Sequence, residues 1–424
     1  MLPADRLKAS HSKGMFTVMK DTIRFGVIGL GARGMGCLEY YHCTMEGVKV
    51  THVCDIYEDR TLQGQQIVER IQGHKPAAST DYRKVIEDPN VDAVVIMSSW
   101  DNHVPATVAA MRAGKFVASE VGGAYSVDDC WELIRAYEDT GRHVMFLENC
   151  CYGTKELMAL HMAKQGFFGK IVACEGGYCH DLRSEILYGE ENRHYRLRNY
   201  MHRNCENYPT HELGPIAKIL GINRGNRMLT LSSMASGSWG LNEYARTHDD
   251  VNPALREFRF AQGDIISTNI KCAGGELITL TLDTTLPRHY SRRFTVRGTK
   301  AAFFEPMGAV FEDTKGEHGN EKMNNLAPYA EEYMHPMWRR YLEEGVQGGH
   351  DGFDWLTYCA FADYVRSGDV PPIDTYDMAA WMAITPLSEL SIANGGAPVE
   401  VPDFTRGAWT HRTDVNRGPY SLDI

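Results

Sequence analysis

A strand-like apolar run, Ile23 to Ile28, empties directly into Gly29-x-Gly31-x-x-Gly34, and an acidic residue, Asp55, follows twenty-one positions after the last glycine. No other feature restricts the fold of this chain as much. Each glycine has its own task in such a turn: Gly29 takes the tight bend, Gly31 leaves backbone bare for a pyrophosphate, and Gly34 lets the next helix approach the strand. Ala32 and Arg33 lie in the same loop, where a helix begins whose unpaired N–H groups and dipole favour an anion. Val48, Val50, His52 and Cys54 alternate with Lys49, Thr51 and Val53 as a second strand, ending at Asp55 where an adenosine ribose would lie. A carboxylate there accepts from both ribose hydroxyls and repels a 2′-phosphate. NAD is therefore favoured, while Arg60 nearby leaves NADP open.

With 424 residues, 43% of them apolar, the chain has room for two or three domains. Its net charge of −11 argues against nonspecific nucleic-acid binding. No apolar stretch reaches the length of a membrane span, so no membrane is expected. Residues 1–20, with Asp5, Arg6, Lys8, Lys13 and Lys20, read as an extension without the apolar core of an export signal, although a signal removed ahead of residue 1 would leave no trace. Eleven scattered cysteines with no C-x-x-C pair speak against a disulfide framework or a zinc site. No metal is expected, and the compartment should be reducing and cytoplasmic.

Residues 21–150 read as a doubly wound α/β domain. Its strands are Ile23 to Ile28, Val48 to Cys54, Val91 to Met97, Phe116 to Ser119 and Val144 to Leu147, with helices at Val104 to Ala113 and Ser126 to Thr140. Residues 151–424 read as an α+β domain with a largely antiparallel sheet. A helix at Glu156 to Lys164 and a strand at Ile171 to Tyr178 lead into a polar, Arg-rich excursion over 180–207. Strands follow at Met228 to Ser233, Ile265 to Cys272, Leu277 to Thr284, Arg293 to Arg297 and Ala301 to Phe304, and the tail returns to helices at Phe353 to Ser367 and Met378 to Ala393.

Open parallel sheets bind ligands beyond the carboxyl ends of their strands. Trp100, His103, Glu120 and Asn149 all follow predicted strands. Singly each is an exposed turn or a helix cap; together they read as cofactor contacts, with Trp100 and His103 flanking the nicotinamide half. Downstream, Asn207 to Pro215 leads into helical spacing at Leu213, Ile216, Ala217 and Leu220. His211 then falls in the first turn, where the dipole keeps imidazole neutral and able to act as a base. Packing alone would also explain His211, as it would Tyr178 and Tyr290, and spacing cannot bring these three together.

The glycine loop, Glu120 where Glu-Lys-Pro is usual, and the element closing at His211 resemble the Gfo/Idh/MocA oxidoreductase superfamily over nearly the whole chain. Tyr208-Pro209-Thr210-His211, Gly176-Gly177-Tyr178, the run from Leu286 to Arg292, and Gly348-Gly349-His350 resemble more narrowly its NAD-dependent α-N-acetylgalactosaminidase branch, glycoside hydrolase family 109. The resemblance implies an N-terminal Rossmann domain, a C-terminal domain with an open sheet, bound NAD, and a homo-oligomer. It also implies that Glu148, Tyr178, Tyr208, His211 and Tyr290 line the site of a free or glycan-terminal sugar. Val121 replaces the superfamily's acid/base lysine, Glu212 stands where the branch has glycine, and Asp351 and Phe353 depart from its pattern.

What the branch implies is a redox-neutral glycosidase: oxidation at C3, loss of the C2 proton, departure of the aglycone from C1, water addition and re-reduction. His211 would take the C3 hydroxyl proton and Tyr178 the C2 proton, with Arg183 or Arg288 lowering the tyrosine pKa. No carboxylate pair of the usual glycosidase kind is apparent. A plain NAD-dependent sugar or cyclitol dehydrogenase and a catalytically silent NAD-binding sensor are the alternatives. The missing lysine disfavours the dehydrogenase, and the second-domain motifs disfavour the sensor.

Overall fold

The computed structural model describes residues 22–313, 323–348 and 350–423. The extension over 1–20 and Gly349 of the Gly-Gly-His motif lie outside them. β1 (Ile23–Ile28), β2 (Val48–Cys54), β3 (Ala77–Ser79), β4 (Ala93–Ile96), β5 (Phe116–Ser119) and β6 (Val144–Phe146) form one parallel sheet in the order β3-β2-β1-β4-β5-β6. Phe25, Val27, Val94, Val95 and Ile96 are fully or almost fully buried, as strands covered by helices on both faces must be.

The second sheet contains β7 (Ile171–Cys179), β8 (Met228–Ala235), β9 (Ile265–Cys272), β10 (Leu277–Asp283), β11 (Thr295–Gly298), β12 (Ala301–Phe304), β13 (Ala309–Glu312) and β14 (Val399–Glu400). Their order is β13-β12-β11-β7-β10-β9-β8-β14, antiparallel except where β7 and β10 run parallel. Alternation sets its faces: Ile266, Ile270, Ile278, Leu280 and Leu282 point inward, while Asn269, Lys271 and Leu277 face out. The helix Thr210–Leu220 lies on the inner face, and the lack of a side chain at Gly176 permits this. A Cβ on Gly176 would stand 2.6 Å from the Cβ of Glu212.

Three expectations need correction. The helix read as Val104 to Ala113 begins earlier, at Trp100, so the residues taken for a loop after β4 form its first turn. The excursion over 180–207 contains two helices, Arg183–Leu187 and Arg196–His202, whose short lengths hide their periodicity. The long tail helix is two, Thr375–Met382 and Ile384–Ala393, meeting at Ala383. The tail also returns to the first sheet: the Ile373 carbonyl accepts from Phe146 on β6, and the Thr375 hydroxyl accepts from the amide of Val144.

Gly176→Ala is expected to destabilise the protein by about 1–3 kcal/mol, the usual result of overpacking a tight contact. Thermal denaturation checks this, and an unchanged melting temperature would contradict the account of how the helix docks.

Candidate active site

Strand register explains why the cofactor candidates meet. Ile28 pairs with Cys54 and Ile96, Ile96 with Ser119, and Ser119 with Phe146. The residues that follow, including Gly29, Asp55, Glu120 and Glu148, therefore leave the sheet along one edge. A cleft of about 1860 Å³ opens there toward the second sheet. Single small-molecule sites usually occupy about 300–1,000 Å³, so there is room for a dinucleotide and a second ligand. Gly29, Gly31, Ala32, Arg33, Gly34, Asp55, His103, Glu120 and Asn149 line it.

These residues fit NAD. Gly29 has φ 98° and could carry no Cβ, which would lie 2.5 Å from Met97 and Ser98 backbone. A Cβ on Gly31 would meet only Arg60 Nη1, at 3.8 Å, so the backbone there is bare toward the cleft. The Asp55 carboxylate is fixed by the Leu30 amide at 2.7 Å and the Tyr57 amide at 3.0 Å, and each oxygen keeps a lone pair for a ribose hydroxyl. His103 Nε2 bonds the Ser98 carbonyl at 2.9 Å, and burial lowers the ring to about 4, keeping it neutral. Its Nδ1 and Asn149 Oδ1 are buried polar atoms without a partner among the described residues.

Trp100 does not flank this site. As the first residue of its helix it turns inward, packing 5.7 Å from Tyr208 and 4.8 Å from Tyr195 beneath Gly122. Arg33 does more than open a helix. Its guanidinium spans Glu120 at 3.0 Å and both oxygens of Asp354 at 2.7 Å, and Asp354 also accepts from Asn149 at 2.8 Å. Asp354 was not singled out from the sequence, where an acid in the first turn of a helix reads as a dipole partner.

The excursion over 180–207 crosses the adenosine end. Arg193 makes a two-pronged pair with Asp59 at 2.8 and 2.9 Å, its guanidinium lies 4.4 Å from the Tyr57 ring, and Arg60 donates to the Asn192 carbonyl at 2.8 Å. Asp59 and Arg60 lie in the first turn of the helix Glu58–Gln72, Tyr57 is its N-cap, and the partners belong to the strap.

At the other end of the cleft the sugar candidates converge. Tyr178, Tyr208, His211 and Tyr290 all line it, with Tyr178 ring centres 4.4 Å from Tyr208, 5.5 Å from His211 and 6.4 Å from Tyr290. Tyr290 arrives through the antiparallel bridge between Cys179 and Ser291 and stays 46% exposed at the mouth. Glu148 differs from expectation: it has no exposed surface and lies behind His211, where it cannot line a sugar site. Its Oε1 meets His211 Nδ1 at 2.7 Å and the Cys150 amide at 3.0 Å. Burial alone would raise this carboxyl; the His211 ring and the Cys150 amide hold it below its ordinary range. An ionised Glu148 accepts the hydrogen bond of the Nδ1–H, which leaves His211 Nε2 as the basic nitrogen.

Burial pushes the Tyr178 phenol well up, opposed by the nearby Arg196 guanidinium. Neither Arg183 nor Arg288 fills that role, because each is held by a local acid, Asp181 at 2.7 Å and Asp283 respectively. Arg196 pairs with Glu185 at 2.6 Å and lies 5.0 Å from the Trp100 ring and 5.2 Å from Tyr208, with Nη1 buried and without a partner among the described residues. His180 Nδ1 stands 3.3 Å from the Tyr178 hydroxyl. Burial lowers His180, so it is neutral and able to accept. Neither Arg196 nor His180 was found in the sequence; His180 lies on the motif's doorstep, two residues after Tyr178.

Comparison with known proteins agrees with this geometry. Residues 23–147 match an oxidoreductase family described by its NAD-binding Rossmann fold, and residues 152–411 match the C-terminal domain of glycosyl hydrolase 109. A protein of Tannerella forsythia named alpha-N-acetylgalactosaminidase is 36% identical over 92% of this chain and 88% of its own. A glycosyl hydrolase family 109 protein of Solibacter usitatus is 37% identical over 93% and 91%. Among solved structures, levoglucosan dehydrogenase in complex with NADH and L-sorbose superposes with a TM-score of 0.67 at 17% identity, covering 90% of this chain and all of its own. The myo-inositol 2-dehydrogenase of Lactobacillus plantarum gives 0.62 with the same identity and coverage. At that identity the two structures establish the fold alone, an N-terminal Rossmann domain joined to a mostly antiparallel sheet. The curated relatives and the C-terminal match go further: this chain is an enzyme belonging to glycosyl hydrolase family 109, within the Gfo/Idh/MocA oxidoreductases.

Proposed function

We propose that the protein hydrolyses α-linked N-acetylgalactosaminides, with NAD as a retained catalyst, by oxidation at C3, elimination across C1 and C2, water addition and re-reduction. The observation that carries this reading is the His211–Glu148 pair at the junction of the cofactor cleft and the tyrosine-lined pocket. The name of the Tannerella forsythia relative supports the substrate class. Position 121, where an ordinary dehydrogenase of this superfamily would carry lysine, holds a buried valine with no proton to move.

Bound NAD supplies a reversible hydride acceptor for C3. Gly29, Gly31 and Gly34 would receive its pyrophosphate and Asp55 its ribose, and His103 and Asn149 would present polar atoms farther along the cleft. His211 takes the C3 hydroxyl proton on Nε2 while Glu148 fixes the ring. The ketone so formed acidifies the C2 proton, and Tyr178 removes it as its own phenolic proton passes to His180 Nδ1. Arg196 offsets the charge left on that phenol. Tyr208 and Tyr290 orient the sugar and the leaving group. Glu148, deprived of access, acts through His211. In this arrangement the first sheet serves the cofactor and the second the sugar, with the division falling near residue 150.

A redox catalyst that must return its hydride has to stay bound, and the Arg193–Asp59 strap supports retention. The outward face of the second sheet, with Met234, Asn269 and Leu277 exposed, supports pairing with a second copy. Eleven free cysteines suit a reducing, cytoplasmic setting, and no helix among the described residues is long and apolar enough to cross a membrane.

Incubation with an aryl α-N-acetylgalactosaminide in deuterated water is expected to give aglycone release, deuterium at C2 of the sugar and no net NADH. Stoichiometric NADH with an intact glycosidic bond would instead establish a dehydrogenase. His211→Ala is expected to lower kcat by about 10²–10⁴-fold, the range for a lost general base, with NAD still bound.

Arg193→Ala is expected to release NAD during gel filtration that leaves the wild type loaded, and added NAD should restore turnover. Equal retention by both would show that the strap does not hold the cofactor.

A further inference from the structure

Behind the catalytic pair lie two carboxyl groups the mechanism does not use. Glu206 has no exposed surface and Glu212 is 1% exposed. Glu206 sits in the segment leading to the helix Thr210–Leu220, its backbone pinned by Ser388 at 2.9 Å and Thr385 at 2.7 Å. Glu212 follows His211 directly and rests its Cβ on bare Gly176 of β7. No side-chain donor of the described residues bonds any of their four carboxyl oxygens; only the peptide N–H groups of Tyr208 and Glu212 are near.

The titratable groups facing the pair are Cys179 on β7, Glu148 after β6, and the adjacent Cys205; the helix Ile384–Ala393 offers only the hydroxyls of Thr385 and Ser388. None is cationic. Ionised carboxylates only accept, so two in contact without a donor cannot both be charged. One proton between them turns the same contact into a strong hydrogen bond.

We propose that Glu206 and Glu212 share one proton, and that this bond is a positioning element which seats the first turn of the helix on β7 and so keeps His211 on Glu148. The proposal rests on the catalytic reading of His211, but its test does not depend on turnover. Burial pushes both carboxyls up, Glu206 to about 8. Loss of the shared proton sets two buried negative charges against each other one residue from His211.

The sign of the stability effect follows. An unfolded glutamate loses its proton near about pH 4.3, whereas the folded pair keeps one, so stability falls as pH rises from there for as long as the pair holds its proton. Thermal denaturation between pH 5 and 8.5 should show that fall in the wild type and a shallower one in Glu212→Gln, which keeps a donor but cannot ionise. Glu206→Gln provides the same comparison if the first variant does not fold. The downfield Nδ1 proton resonance of His211 should weaken in the wild type above pH 8 and persist in either Gln variant. In kinetics, the ratio of kcat/KM at pH 9 to that at pH 6 should rise over wild type, because the alkaline limb set by loss of the shared proton is removed. Identical melting slopes would overturn the shared proton. A shallower slope with unchanged resonance and pH ratio would overturn the positioning role. If no glycoside is turned over, the proposed activity fails, and melting and resonance still decide the pair.

Discussion

The bond between Glu148 and His211 joins the end of the last parallel strand of the first domain to the helix Thr210–Leu220 of the second, and the chemistry proposed for the cleft depends on it. A carboxylate with no access to water is stable only beside a partner that compensates its charge, and removing one member of a buried pair commonly destabilises by about 3–5 kcal/mol. The fold supplies that partner by close approach. Gly214 has no side chain where a Cβ would lie 2.8 Å from Glu148 Cγ, so the helix can come near enough for the ring and carboxylate to meet. The Nδ1 tautomer is then decided by the first domain, and the basic nitrogen is presented to the second.

Around this bond the electrostatics divide by burial. Arg33 is neutralised by Glu120 and Asp354, so it braces the cleft wall without adding a free charge. Arg196 faces Glu185 on one side and aromatic rings on the other, and its buried Nη1 has no partner among the described residues. Tyr178 therefore need not exist as a phenolate at rest. In the proposed reaction His180 would give its proton somewhere to go when the C2 carbon is acidified, so that deprotonation would accompany the reaction. A lysine at 121 would have done similar work from the cofactor side. Its replacement by valine moves proton handling to residues that also contact the sugar.

The strand periods and the glycine loop were legible in the sequence because they are local. Ile23–Ile28, read as an apolar run, and Val48–Cys54, read from alternation, appear with the expected bounds. His211 and Tyr178, thirty-three positions apart, became neighbours only because Gly176 admits the helix to β7, a fact no spacing reveals. Trp100 was misjudged because Ser99 starts a helix and turns the indole inward. Arg183 and Arg288 were plausible cations until their sequence neighbours Asp181 and Asp283 proved to hold them. Arg196 carries no mark to separate it from Arg193 or Arg198 within an Arg-rich segment; only its burial against Trp100 and Tyr208 does. Glu148 was found by its motif, but its place behind the histidine required the three-dimensional fold.

If NAD is a retained catalyst, the hydride leaves one carbon of the sugar and returns to it without leaving the protein. Hydrolysis of an aryl α-N-acetylgalactosaminide carrying deuterium at C3, in the presence of excess unlabelled NAD, tests this by mass spectrometry of both products. Deuterium retained at C3 of the released sugar, with none in the dissolved nicotinamide pool, is the result the account predicts. Deuterium in dissolved NADH, or its loss from C3, would contradict it.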